Sequence, residues 1–468
     1  MPGVVALELS DAGILARGPS GPPPGDQYPS PGFAVLDGGT LVIGKAARDR
    51  ARLMPLQTHT RFWDQLGTGT LPRPFPPDLT PADLVHAHLD RLWDALEAGH
   101  DELLLAVPGS HTPAQLGLIL GIARSSDIPV VGMVDAAVAA SSMGHPGGHL
   151  LHVDVHLHRA DVTEILQGEE VVRRRLETSD RVGLDALHDL WMSAIARTFV
   201  TETRFDPLHH ADVEQSLFGR LPEVLASLCR QDEVLLELDS AGKTHGVVLH
   251  RDRLIAPVDA AYGTIAQLAG LMTRVGRAST VLLSCRAAGL PGLRERLSGV
   301  GETEVVVLPE GAAAEGALRH AGVIRSSEEA LPFVTRLPVH DETARGLPPV
   351  DAPAVRAARR GVPPTHVLHG DRAYPITEQP FVLGIAIPRG SRGLDLEGRT
   401  AGISRSHCSI YRAAGRTVAE DHSTHGSFLN GRRIEGTADL VTGDRLRLGS
   451  PGIELVLLRV EGDGASHG

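Results

Sequence analysis

The run from His145 to His158, HPGGHLLHVDVHLH, holds five histidines and an aspartate. If LLHVDVHLH is a strand, its period of two puts His152, Asp154, His156 and His158 on one face and Val153, Val155 and Leu157 on the other. Three imidazoles and a carboxylate are the donor types of a zinc or other divalent site, and a metal-dependent catalytic centre is one reading of them. Residues two apart on a straight strand are about 6.5 to 7 Å apart, so four cannot meet one ion unless the turn folds back. The competing reading is a polar strand face with ordinary hydrogen bonds, and no metal is expected. The three cysteines, Cys229, Cys285 and Cys408, are too scattered for a disulfide framework or a Cys-based zinc module. Of 45 basic residues only Lys45 and Lys243 are lysines, so almost any cationic chemistry falls to arginine.

A chain of 468 residues exceeds what one core normally supports, and two or three domains are expected. Hydrophobic residues make up 42% and no apolar run reaches the ~20 residues of a membrane span, so no membrane insertion is expected. The net charge of -12 argues against nucleic acid as a partner. MPGVVALELSDAG has neither the basic start nor the apolar stretch of a signal peptide, which gives a cytoplasmic expectation. Arginine with abundant Ala, Gly and Pro suits a GC-rich, bacterial-type genome.

Four segments are expected: 1–337, a Pro/Ala-rich linker over 338–364, 365–460, and a disordered tail over 461–468. In the first, strand and helix signals alternate, as in an α/β domain. TPADLVHAHLDRLWDALEAG has Thr80 as N-cap, Pro81 at the first helical position and Val85, Leu89, Leu92 and Leu96 at helical spacing. Thr112 and Gln115 form a capping box. Helices are expected over 185–230 and 257–276, and no fixed-period repeat is visible. After the linker, short apolar runs split by Gly, Asn and Asp turns predict an all-β sandwich.

The tail series LG, GISRSHCSIY, EDHSTHGSFLNGRRI and LVTGDRLRLG resembles the forkhead-associated (FHA) domain, a β-sandwich whose loops bind phosphothreonine peptides. A phosphothreonine carries about -1.5 to -2 charges, so its pocket needs arginine and hydroxyl or backbone donors. The resemblance implies that Ser404, Arg405, Thr424 and His425 contact the phosphopeptide, with His407, Ser423, Gly426 and Asn430 bracing the loops. Two positions depart from the family: Ile385 follows Gly384 where the family has Arg, and His425 stands where it has Asn. Arg389 or Arg392 is a candidate replacement for the missing Arg.

The first 335 or so residues are similar to the actin-like ATPase fold in its DnaK-type heat-shock chaperone form. VVALELSDAGILA, LVIGKAARDRARLMP, the segment 103–141, HLLHVDVHLHRADVTEIL, VGLD at 182–185 and TVLLSCRAAGLPGLRERL carry this, in the family's order. The resemblance implies a two-lobed fold with two glycine-rich phosphate turns, and here both are altered. Glu8, Ser10 and Asp11 replace the family's residues in the first turn; Asp154 is kept in the second, but His156, Leu157, His158 and Arg159 follow it. Ser284 and Cys285 replace paired glycines on the adenosine side, while Gly289 is kept. The expectation is therefore an α/β actin-like ATPase fold followed by an FHA sandwich, working as a scaffold for a protein partner, with no cofactor and no catalysis. The alternative is an active, atypical chaperone-like ATPase using Mg-ATP held by Glu8, Asp11 and Asp154.

Overall fold

The computed structural model describes residues 3–23, 28–96, 100–145, 148–273, 279–326, 331–339, 363–369, 372–387, 392–396, 403–413, 416–423, 426–430, 432–434, 436–449 and 453–458. Most of the expected linker and the whole expected tail over 461–468 lie outside them. The chain divides into two compact units, Met1–Val350 and Asp351–Gly468.

The first half of unit one runs β1 (Val4–Glu8), β2 (Leu15–Arg17), β3 (Ala34–Asp37), β4 (Thr40–Ile43), α1 (Lys45–Arg48), β5 (Thr58–His59), α2 (Pro81–Asp94), β6 (Glu102–Val107), α3 (Pro113–Ser125), β7 (Val130–Asp135) and α4 (Ala136–Ala140). The second half starts with β8 (His149–Val155), β9 (Ala160–Gln167), β10 (Glu170–Ser179), α5 (Leu184–Thr203), α6 (Ala211–Leu228), β11 (Glu233–Ser240), β12 (Lys243–His250), α7 (Arg251–Ile255) and α8 (Asp259–Gly270). It ends with β13 (Ser279–Leu283), α9 (Cys285–Ala288), α10 (Leu293–Ser298), β14 (Thr303–Val307), α11 (Ala312–Arg319), α12 (Ala321–Ile324), β15 (Phe333–Val334) and β16 (Arg336–Pro338).

Local signals set the long helices. The Thr80 hydroxyl accepts from Asp83 N while the Asp83 carboxylate accepts from Thr80 N at 2.8 Å, closing a capping box in front of α2. Thr112 and Gln115 do the same for α3. The hairpin β11–β12 was not among the expected elements. Its signal was present: Leu236, Leu238, Val247 and Leu249 are buried at alternate positions, and Ala241 and Gly242 turn the chain with φ of 49° and 76°.

The two main sheets share one plan. In the first, the order is β15-β7-β6-β1-β2, with β1 antiparallel to β2 and parallel to β6. In the second, the order is β14-β13-β8-β9-β10-β16, with β8 antiparallel to β9 and parallel to β13. β1 and β8 are thus interior strands with matching neighbours, and each ends in the turn that carries candidate residues. A core rich in small side chains, including Ala137, Ala139, Ala140, Ala313, Ala314 and Ala317, lets α4 and α11 pack closely. A Cβ at Gly316 would lie 2.0 Å from the Ala139 carbonyl oxygen, so only glycine fits there.

Unit two contains β17 (His366–His369), β18 (Arg372–Pro375), β19 (Phe381–Gly384), β20 (Arg392–Asp395), β21 (Cys408–Ala413), β22 (Arg416–Asp421), β23 (Ser427–Leu429), β24 (Arg432–Arg433), β25 (Thr437–Leu440), β26 (Arg445–Leu448) and β27 (Ile453–Leu458). They form one sheet ordered β18-β17-β27-β26-β23-β24 and another ordered β20-β19-β21-β22-β25. Both sheets supply the shared core: Val367, Leu446 and Leu455 from the first, Phe381, Leu383 and Ile410 from the second. Among the described residues no helix is long and apolar enough to cross a membrane.

Gly316→Ala is expected to destabilise the protein by about 1 to 3 kcal/mol through overpacking. Gly322, whose added Cβ would meet nothing within 4 Å, is the control. Gly322→Ala is expected to be neutral or slightly stabilising, both read by urea unfolding.

Candidate functional site

In unit two, β19 ends at Gly384, directly beneath the loop that carries Ser404 and Arg405. A Cβ at Gly384 would lie 2.0 Å from the Arg405 carbonyl oxygen, so the close approach requires glycine. Ile385 N donates to Ser404 O at 3.3 Å and Ala386 N to Arg405 O at 3.1 Å. The Ile385 side chain is 39% exposed.

His407 is fully buried and joins two loops. Its Nδ1 accepts from Ser404 N at 2.9 Å, which leaves Nε2 protonated to donate to Gly426 O at 3.1 Å. Ser423 Oγ accepts from Gly426 N at 2.7 Å. Thr424 and His425, between them in sequence, lie outside the described residues. Asp421 was not singled out from the sequence, yet it organises this edge by accepting from Ser423 N at 3.2 Å and Ser427 Oγ at 2.7 Å. Burial would raise its pKa, but these hydrogen bonds hold it below the usual carboxylate value.

Asn430 has φ of 50°; its side-chain amide donates to Asp444 at 2.7 Å and its carbonyl oxygen accepts from Arg445 N at 2.9 Å. It therefore pins the β23 end to the turn before β26. Arg405 is exposed. Arg392 is committed elsewhere: it donates to Thr377 Oγ1 at 2.6 Å and to the Pro375 carbonyl, and pairs in register with Phe381 rather than Gly384. Arg389 lies outside the described residues.

In unit one, the turns after β1 and β8 meet and bind each other. Asp11 accepts from Leu157 N at 2.8 Å, and Ser10 Oγ lies 3.0 Å from His156 Nδ1. Arg286, from α9, joins the two strand ends: its guanidinium donates to Glu8 at 2.8 Å and to Asp154 at 2.7 Å. The second oxygen of Glu8 accepts from Ala313 N in the first turn of α11 at 3.1 Å. Asp154 also accepts from Ser284 Oγ at 2.5 Å and Val155 N at 2.9 Å. Burial would raise the Asp154 pKa, but Arg286, His156 and His152 hold it far below the usual range. Gly289 follows α9 as its C-cap and lines the adjoining cavity.

The expected histidine strand stops at Val155, and His156 and His158 fall in the turn. His158 contacts Thr60 O at 3.0 Å, while His156 Nε2 lies 3.3 Å from Asp161. No group of three or more His, Cys, Asp or Glu side chains among the described residues is arranged to hold a metal ion. Ser10, His156 and Asp161 have the connectivity of a nucleophile, base and acid, but Ser10 is only 1% exposed. Burial would lower the His156 pKa, yet Asp154 and Asp161 raise it above the ordinary histidine value.

Arg286→Met is expected to cost about 3 to 5 kcal/mol by leaving two buried carboxylates unpaired. Adding Glu8→Gln and Asp154→Asn should recover most of that loss in urea unfolding.

A comparison with curated proteins finds no match. The FHA domain family matches residues 390–449, so the second unit carries an FHA domain.

Proposed function

We propose that this chain is a non-catalytic interaction protein whose FHA domain takes a phosphothreonine-containing protein partner. The observation that carries this reading is His407, which ties the Ser404 loop to Gly426, in a region that matches the FHA family. A phosphate needs donors held in fixed relation, and a buried neutral imidazole bonded at both nitrogens supplies that rigidity. Ser404, Arg405, Thr424 and His425 are the proposed contacts. Arg405 supplies the cation, because Ile385 has none to offer. His407, Ser423, Gly426 and Asn430 serve as support. The proposed domain spans are 1–337 and 365–460, joined by the linker 338–364.

For the first unit we favour an actin-like, DnaK-type fold that no longer uses nucleotide. The shared plan of its two sheets supports the fold assignment, since the strands equivalent to β1 and β8 carry the phosphate turns in that family. The Arg286 bridge supports the loss of nucleotide chemistry, because the two carboxylates that would serve a metal are already engaged by a protein cation.

A phosphothreonine peptide library screened beside its unphosphorylated twin tests the FHA reading. The expected result is a clear phosphate preference that Ser404→Ala and Arg405→Ala each weaken at least tenfold, the scale of a lost charge-assisted hydrogen bond. Equal binding of both libraries would reduce the domain to a general contact surface.

A further inference from the structure

Beside the Arg286 bridge, unit one holds a cavity of about 550 Å³. That volume is in the range of small-molecule sites. Its wall is mainly apolar and includes Leu15, Tyr28, Leu184, Leu225 and Leu290. Arg48 and His188 also line it, and their surroundings are unusual.

Two guanidinium groups lie over the Phe218 ring, Arg48 at 4.8 Å and Arg52 at 4.6 Å from its centroid. Arg52 is paired with Asp189 at 2.7 Å and Glu214 at 3.7 Å. Arg48, which faces the cavity, has no carboxylate partner among the described residues and makes one long hydrogen bond, 3.4 Å, to Phe218 O. Burial lowers the Arg48 pKa and the neighbouring Asp49 offsets this only in part, so the charge is incompletely compensated. Two more polar atoms of the wall are buried without a partner among the described residues: His188 Nδ1 and Arg286 Nε. Burial, then Arg48 and Arg52, push His188 down to about 3, so its ring is neutral and adds no competing charge.

We propose that this cavity binds a small phosphate-free molecule with an apolar body and one carboxylate, the carboxylate pairing with Arg48. The ligand does for Arg48 what Asp189 and Glu214 do for Arg52. Its body replaces water against the apolar wall, where burial of apolar surface contributes most of the affinity. Glu8 and Asp154, which also line the cavity, repel a polyanion, and Arg286 is already engaged with both. This site is independent of the FHA reading.

Calorimetric titration of the full chain with 4-phenylbutanoate and with its uncharged counterpart 4-phenylbutan-1-ol tests the proposal. The acid is expected to bind with a Kd of about 1 mM or tighter, within reach of a ligand of this size, and at least tenfold tighter than the alcohol. Arg48→Gln should bring the acid to the level of the alcohol while leaving the alcohol unchanged, and Arg48→Lys should keep part of the preference. Ala226→Phe, which adds a ring to the cavity wall, should remove both, with thermal midpoints confirming that each variant folds. Absence of acid binding, equal binding of acid and alcohol, or no effect of Arg48→Gln on the acid would each overturn it.

Discussion

The first unit depends on one cation. Arg286 sits where the ends of β1 and β8 converge and bonds Glu8 and Asp154 together, offsetting one of their two charges. Without it, two buried carboxylates would face each other across the junction of the two sheets, an arrangement that a folded protein tolerates only with a metal or a proton. With it, Asp154 is held ionised and the central strands of both sheets are clamped. The contacts of Ser10 with His156 and of Asp11 with Leu157 N extend the same closure to the turns. Leu157 N, Glu8 and Asp154 are thereby used within the protein, while Asp11 Oδ2 stays buried without a hydrogen-bond partner among the described residues. The cavity that remains alongside is mainly apolar, with Arg48 in its wall.

The FHA domain follows a different logic. Its support is internal and mostly neutral, through His407, Ser423 and Asn430, while the exposed Arg405 stays at the surface. A rigid frame with a cation at its rim suits recognition of an external anion. Unit one places its arginine where two of its own carboxylates consume it.

Much of this was legible in the sequence because the signals were local. Thr80 with Asp83 and Thr112 with Gln115 are three residues apart, and a capping box needs nothing more. The FHA match likewise rests on short segments in order. The Arg286 bridge was not legible: its partners are 278 and 132 residues away, and one arginine among so many carries no mark. The histidine run misled in the other direction. Alternation suggested one polar face, but the strand ended at Val155 and the chain turned, which separated His156 from His158. Asp421 was overlooked because a carboxylate before a loop is common, and only its three-dimensional partners show that it holds Ser423 and Ser427.

The proposed loss of nucleotide use in the first unit rests on the pairing of Arg286 with both Glu8 and Asp154. Calorimetric titration of the full chain with Mg-ATP tests it most directly. No binding tighter than about 100 µM, roughly 5.5 kcal/mol, is expected. A tighter complex, with or without hydrolysis, would contradict it and favour a working, atypical ATPase.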